Sequence, residues 1–139
     1  MKKALPLLFL ALFCVWSGCV ALNPGVDAVE VRAEQTVQTA FDVFDTFLRL
    51  DAADRDLVKR KAPAAHEFAE WLRAPVPNGA QTVPRGVSLI LSANRVRLTY
   101  KASRTGDNRA QLNTALVALA AAITETQKQL AAVNLTPPR

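Results

Sequence analysis

The chain has 139 residues, half of them apolar and 21% charged, with a formal net charge of +5, eight prolines, five glycines, two cysteines and one histidine. That is room for one domain, and it is too apolar for wholesale disorder. Two cysteines exclude a disulfide-rich scaffold or a four-thiolate zinc site, a single histidine leaves few ways to build a catalytic or metal centre, and no glycine-rich phosphate loop occurs, so no cofactor is expected.

Lys2 and Lys3 precede a run from Ala4 to Leu22 without charge. A basic start followed by an apolar stretch is the pattern of a secretory signal. The run contains Val15-Trp16-Ser17-Gly18-Cys19. Small residues at the two positions before a cysteine resemble the lipobox of bacterial lipoproteins, although that family favours an aliphatic residue where Trp16 stands. The resemblance covers only this leader. It implies cleavage between Gly18 and Cys19, lipidation of Cys19, and a mature protein held at the cell envelope. The sorting pattern of that family retains proteins with an aspartate after the cysteine at the inner membrane; Val20 in that place implies the outer membrane. Two other readings stay open. Ala4 to Leu22 is long enough to span a bilayer uncleaved, and ordinary cleavage near Ala21 would release a soluble protein. All three place the rest of the chain outside the cytoplasm, where no cysteine remains for a disulfide.

Residues 1–18 are therefore expected to be a signal peptide, 19–25 a lipidated N-terminus and linker, 26–133 a helical domain and 134–139 a flexible tail. Apolar residues Val26, Val29, Ala33, Val37, Ala40, Phe44 and Phe47 recur at steps of three and four, widened by Phe41 and Leu48, and predict a long helix to about Leu50. Asp51 to Asp54 reads equally as a turn with a fresh cap or as helix continuing to Val58. Pro63 suits a helix start, and a helix to Arg73 would bury Phe68, Leu72 and Trp71. Ala74 to Arg85 holds three prolines and a glycine and is expected to be an irregular connection.

Gly86 to Ser103 fits either of two periods. Alternation of Val87, Leu89 and Leu91, and of Val96, Leu98 and Tyr100, allows a hairpin turning near Ala93. On a helix the same residues form two stripes: Leu89, Ala93, Val96 and Tyr100 on one side, and Val87, Leu91 and Leu98 on the other. Helix is favoured, because an isolated hairpin is marginal; its second stripe would then lie between neighbours or face a partner. The final helix is expected from an Asp107 cap to about Val133, with a heptad-like seam of Leu112, Leu116, Leu119, Ile123, Leu130 and Val133 and Thr126 in the polar slot. The expected fold is all-α: a small antiparallel bundle of three long helices plus one shorter helix.

Charge is uneven. Asp27 to Asp56 carries eight acids and three bases, and Leu57 to Arg109 carries ten bases and three acids. The simplest consequence is that successive helices complement each other. A sharper one is an anion- or partner-binding face, since Arg97, Lys101 and Arg104 lie within roughly 60° of one another on a helix, with Asn94 beside them. Lipid phosphates, an acidic glycan or an acidic envelope protein would suit it. Nucleic acid is not expected, because export removes the usual target and few aromatics are free to stack bases.

His66 and Glu70 share a helix face, yet zinc needs a third ligand and the chain offers no second histidine. A solvated first helical turn is the plainer reading, and no metal site is assigned. The pairs Asp42/Asp45 and Asp51/Asp54 are expected on exposed positions, which do not raise a carboxyl pKa as general acid work requires. Serines Ser88, Ser92 and Ser103 have no local histidine base. The aromatic set Phe41, Phe44, Phe47, Phe68, Trp71 and Tyr100 reads as core. The function expected is thus a membrane-tethered, non-catalytic helical module. A carrier of a lipid or small apolar ligand is the first alternative and an envelope hydrolase the second.

Overall fold

The computed structural model describes residues 27–134. The expected signal segment, Cys19, the linker and residues 135–139 lie outside them. Among the described residues the chain is mostly helical, with helices α1 (Ala28–Ala53), α2 (Arg55–Lys61), α3 (Pro63–Arg73), α4 (Arg85–Ala102) and α5 (Gly106–Asn134). Strands β1 (Pro75–Asn78) and β2 (Gln81–Pro84) form a small antiparallel ribbon between α3 and α4.

The starts of α1, α2 and α5 are capped by side chains that satisfy free backbone groups. Asp27 caps α1, its Oδ1 accepting from the N–H of Val29 at 2.8 Å and of Glu30 at 3.4 Å. The ambiguity after Leu50 resolves as a break: α1 ends at Ala53, and Asp54 accepts from the Leu57 N–H to cap α2. Pro63 opens α3 as expected, at a position whose missing N–H would be unpaired anyway. The cap of α5 differs from expectation. Thr105 Oγ1 accepts from the Asn108 N–H at 3.2 Å, which leaves Asp107 inside the first turn, where its charge favours the positive helix end.

The connection at 74–85 is ordered rather than irregular. Val76 pairs with Val83 and Asn78 with Gln81, and the Arg85 N–H bonds the Ala74 carbonyl to close the ribbon's base. Gly79 takes φ +65° while Ala80 stays at negative φ, the pattern of a tight II′ hairpin turn. A two-stranded ribbon has only edges, so Pro75, Pro77 and Pro84 fit without breaking a central ladder.

The core is a continuous apolar cluster. Ala40, Phe44 and Phe47 of α1, Ala65, Ala69 and Leu72 of α3, Ala93 of α4 and Leu119, Ala122 and Ile123 of α5 are buried together, with Val58 of α2. A second cluster joins Ala33, Tyr100 and Leu112 near the start of α1. The α5 seam lies inward: Leu112, Leu119, Ile123 and Thr126 are buried, and the Thr126 hydroxyl is satisfied by donating to the Ala122 carbonyl at 2.7 Å. Gly86 allows a close approach, since a Cβ there would sit 3.3 Å from Leu72 Cδ2 and 3.4 Å from Phe44 Cδ2.

Two expected core aromatics are not in the core. Phe41 is 57% exposed and Trp71 39%. Phe41 sits at the edge of the α1 stripe, one turn from Phe44, above the place where α4 begins. Trp71 stacks on Phe68 with centroids 5.3 Å apart, and the Arg85 guanidinium lies 4.8 Å over its ring; the cation takes the place of an apolar neighbour.

Candidate functional site

Three groups of side chains separate by environment. The first lies where the start of α1 meets the end of α4. Tyr100 donates to Asp27 Oδ2 at 2.8 Å. Lys101 reaches Glu30 at 3.0 Å, Arg104 reaches Glu30 at 3.4 Å and Asp27 at 3.5 Å, and Arg97 approaches Glu34 at 3.7 Å. Arg97 also donates to Asn94 Oδ1 at 3.1 Å. The structure brings Arg97, Lys101 and Asn94 together on α4. Arg104, which the spacing placed on the same helix face, lies beyond the helix end at Ala102 but still joins them, and the three cations sit against Asp27, Glu30 and Glu34 at the start of α1. The Tyr100 hydroxyl holds the Asp27 carboxyl below the usual range, and Lys101 does the same for Glu30. Asp27 in turn pushes the Tyr100 phenol up.

The second group is a buried ionic knot joining α1 and α3. Asp51 is 1% exposed, in contrast to the exposed position expected of it. His66 is buried too, not solvated, and its Nδ1 lies 2.9 Å from Asp51 Oδ1. Arg73 donates from Nη1 to Asp51 Oδ2 at 2.5 Å and to Glu70 Oε1 at 3.0 Å, and from Nη2 to the Leu48 carbonyl at 3.0 Å. Arg55 joins from α2, 2.8 Å from Glu70. Burial pushes the Asp51 carboxyl up, but the His66 and then the Arg73 hydrogen bonds outweigh it and hold the carboxyl below its ordinary value. Nothing in the spacing pointed to Asp51 as a partner of His66, fifteen residues away. Ligand atoms of Asp51, His66 and Glu70 lie within 4.8 Å of one another, so the fold does supply the third group that zinc chemistry would need. Arg73 is bonded to both carboxylates and Arg55 to Glu70, and the 2.9 Å His66–Asp51 separation is a hydrogen-bond distance, so these side chains clasp α1 to α3.

The third group is apolar and outward. On α4, Leu89 and Val96 are partly buried while Ala93 and Tyr100 are buried. The opposite stripe is exposed: Val87 by 42%, Leu91 by 40% and Leu98 by 50%. Across a groove stands Phe41 of α1. The groove encloses about 150 Å³ and is lined by Phe41, Phe44, Leu48, Leu72, Val87 and Ile90, with Asp45 at its rim and Gly86 and Pro84 at one end. Full burial of a side chain such as Phe41, Val87, Leu91 or Leu98 contributes on the order of 2 kcal/mol, so their exposure leaves apolar surface uncovered among the described residues. α4 has no acidic residue, and it carries Arg85, Arg95, Arg97 and Lys101. Among the described residues, no helix is long and apolar enough to cross a membrane.

A wider, more polar cleft of about 280 Å³ lies on the other side of α1, lined by Arg32, Gln35, Thr36, Thr39, Ala120, Ile123 and Thr124. It contains neither a nucleophile with a base nor a histidine. The sequence named the Val87–Leu91–Leu98 stripe as a spare face but missed Phe41, whose helical position alone placed it with the core. Comparison with protein-family models, with curated proteins and with solved structures found no match for this chain.

Proposed function

We propose that the chain is a cell-envelope protein fastened to a membrane by its apolar leader, with Cys19 as the lipidated residue, and that its helical domain is a non-catalytic interaction module. The architecture taken with this reading is an antiparallel bundle of three long helices, α1, α4 and α5, with α2 and α3 packed across one end. Contacts from Asp27 to Tyr100 and from Phe44 to the Gly86 position fit opposite directions for α1 and α4.

The observation that carries the module reading is the outward stripe of Val87, Leu91 and Leu98 beside Phe41 and its groove. His66 bonds Asp51, and Asp51 bonds Arg73, which supports a structural use of this histidine–carboxylate pair. A carrier of a lipid or small apolar ligand is the second reading. Typical ligand pockets enclose roughly 300–1,000 Å³, and an apolar groove of about 150 Å³ suits a side chain laid against it better than a whole ligand.

The anchoring half of the proposal is tested by mass spectrometry of the chain recovered from the membrane fraction. A mature N-terminus at Cys19 carrying acyl mass is expected. An intact initiator methionine on a soluble, unmodified chain would contradict it.

A further inference from the structure

We infer that the outer face of α4 docks onto the lipid surface of the membrane that holds the chain, so that the domain lies along the bilayer instead of standing away from it. This rests on the proposed membrane tether and adds to it the partner of the exposed stripe. Three observations converge.

The first is the reach of the tether. Whether the membrane attachment is Cys19 or the end of the apolar run at Leu22, the chain enters α1 at Asp27. Eight residues at full extension cover about 28 Å. Asp27 is bonded to Tyr100 and lies within 3.5 Å of Arg104, so the tether delivers the C-terminal end of α4 to the membrane. From Leu98 back to Val87 the stripe runs about 16 Å along the helix, a length the tether lets lie flat on the surface.

The second is the pattern of the helix. Val87, Leu91 and Leu98 repeat at steps of four and seven and stay exposed, while no acid interrupts α4. An apolar stripe flanked by arginine and lysine is the pattern of helices that lie in the headgroup boundary. Arg95 borders the stripe on one side and bonds the Asn78 amide oxygen of the ribbon at 3.3 Å, which leaves its charge available to phosphate. Lys101 borders the other side, its side chain 59% exposed although it touches Glu30. The third is Phe41, which extends the apolar area across the groove at the same level, where a large ring suits the boundary between headgroups and acyl chains.

The test uses the full chain, purified from the membrane fraction and reconstituted on phosphatidylcholine vesicles with and without phosphatidylglycerol. A photo-crosslinking residue, p-benzoylphenylalanine, replaces Leu98 in one sample and Thr124, which lines the cleft on the far side of α1, in a second. Flotation reports whether the chain stays with the vesicles, and mass spectrometry identifies the adducts. Lipid adducts several-fold more abundant at position 98 than at 124, rising with phosphatidylglycerol and falling again with Arg95→Glu, are expected. If the chain floats but position 98 gives no excess of lipid adduct, or gives chain-to-chain adducts from a second copy, the docking inference is overturned and the tether stands. If the chain does not float, the tether reading itself fails and the docking inference with it.

Discussion

The two sides of α4 are made of similar residues and do different work. Inward, Ala93 and Tyr100 are buried and meet α1 and α5, and the side chains beyond them, Leu119 and Leu112, are fully enclosed. Outward, the equally apolar Val87, Leu91 and Leu98 remain exposed among the described residues. The same contrast holds for charge. Asp51, His66 and Arg73 are drawn into the core side, whereas Arg95 and Lys101 flank the outer stripe. The lesson is that hydrophobicity alone did not decide burial. The inner stripe is covered because α1 and α5 complete a core there, and the outer stripe is left uncovered by the other described residues.

If the inner side carries stability and the outer side does not, substitutions should separate sharply. The largest effect is expected at the ionic clasp. Asp51→Ala leaves His66 and Arg73 without their buried carboxylate, and a loss of about 4 kcal/mol is expected in urea unfolding at neutral pH. Leu119→Ala follows, at about 3 kcal/mol, because a fully enclosed leucine leaves a cavity. A loss of under 1 kcal/mol at either position would break the comparison from the inner side.

Acid should weaken the same side. The carboxyls of Asp51, Asp27 and Glu30 are all held below their ordinary values in the folded chain. A carboxyl whose folded pKa is depressed contributes stability above its unfolded pKa of about 4 and loses it as pH falls through the folded value. Unfolding free energy should therefore fall steeply below about pH 4, and Asp51→Asn should flatten that slope relative to the parent chain. A smaller effect is expected from Tyr100→Phe, which removes the hydroxyl that holds Asp27 and should lower the melting midpoint by less than Leu119→Ala does. A larger drop would give the end of the α1–α4 seam more weight than its exposure allows.

Much of the inner side was legible in the sequence. The α5 seam repeats over several turns, with only Thr126 out of character, and the structure buries its Leu112, Leu119, Ile123 and Thr126. Pro63 marked its helix start because proline has one comfortable place in a helix. Arg97 and Lys101 fall on one face of α4 by arithmetic alone, whereas Arg104 joins them from past the helix end. What escaped is set by contacts between distant residues. Asp51 reaches His66 across a helix break, so neither residue's neighbours in sequence announce its burial. Phe41 lies on the shoulder of the α1 stripe, where periodicity does not say whether another helix arrives to cover it. The ribbon at 75–84 was hidden by its prolines, which speak against a central strand but not against a two-stranded edge.

The smallest effect on stability and the greatest on function are expected at the same place. The most direct test is the melting midpoint of the full chain carrying both Leu91→Glu and Leu98→Glu, measured beside the parent with and without vesicles containing phosphatidylglycerol. Without vesicles the two midpoints should agree, the substitutions costing no more than about 0.5 kcal/mol at exposed positions. With vesicles, the parent should gain stability by binding through this face and the variant should not. A variant that melts far below the parent in the absence of lipid, or one that gains as much from vesicles as the parent does, would contradict the assignment of the outer face of α4 as a docking surface.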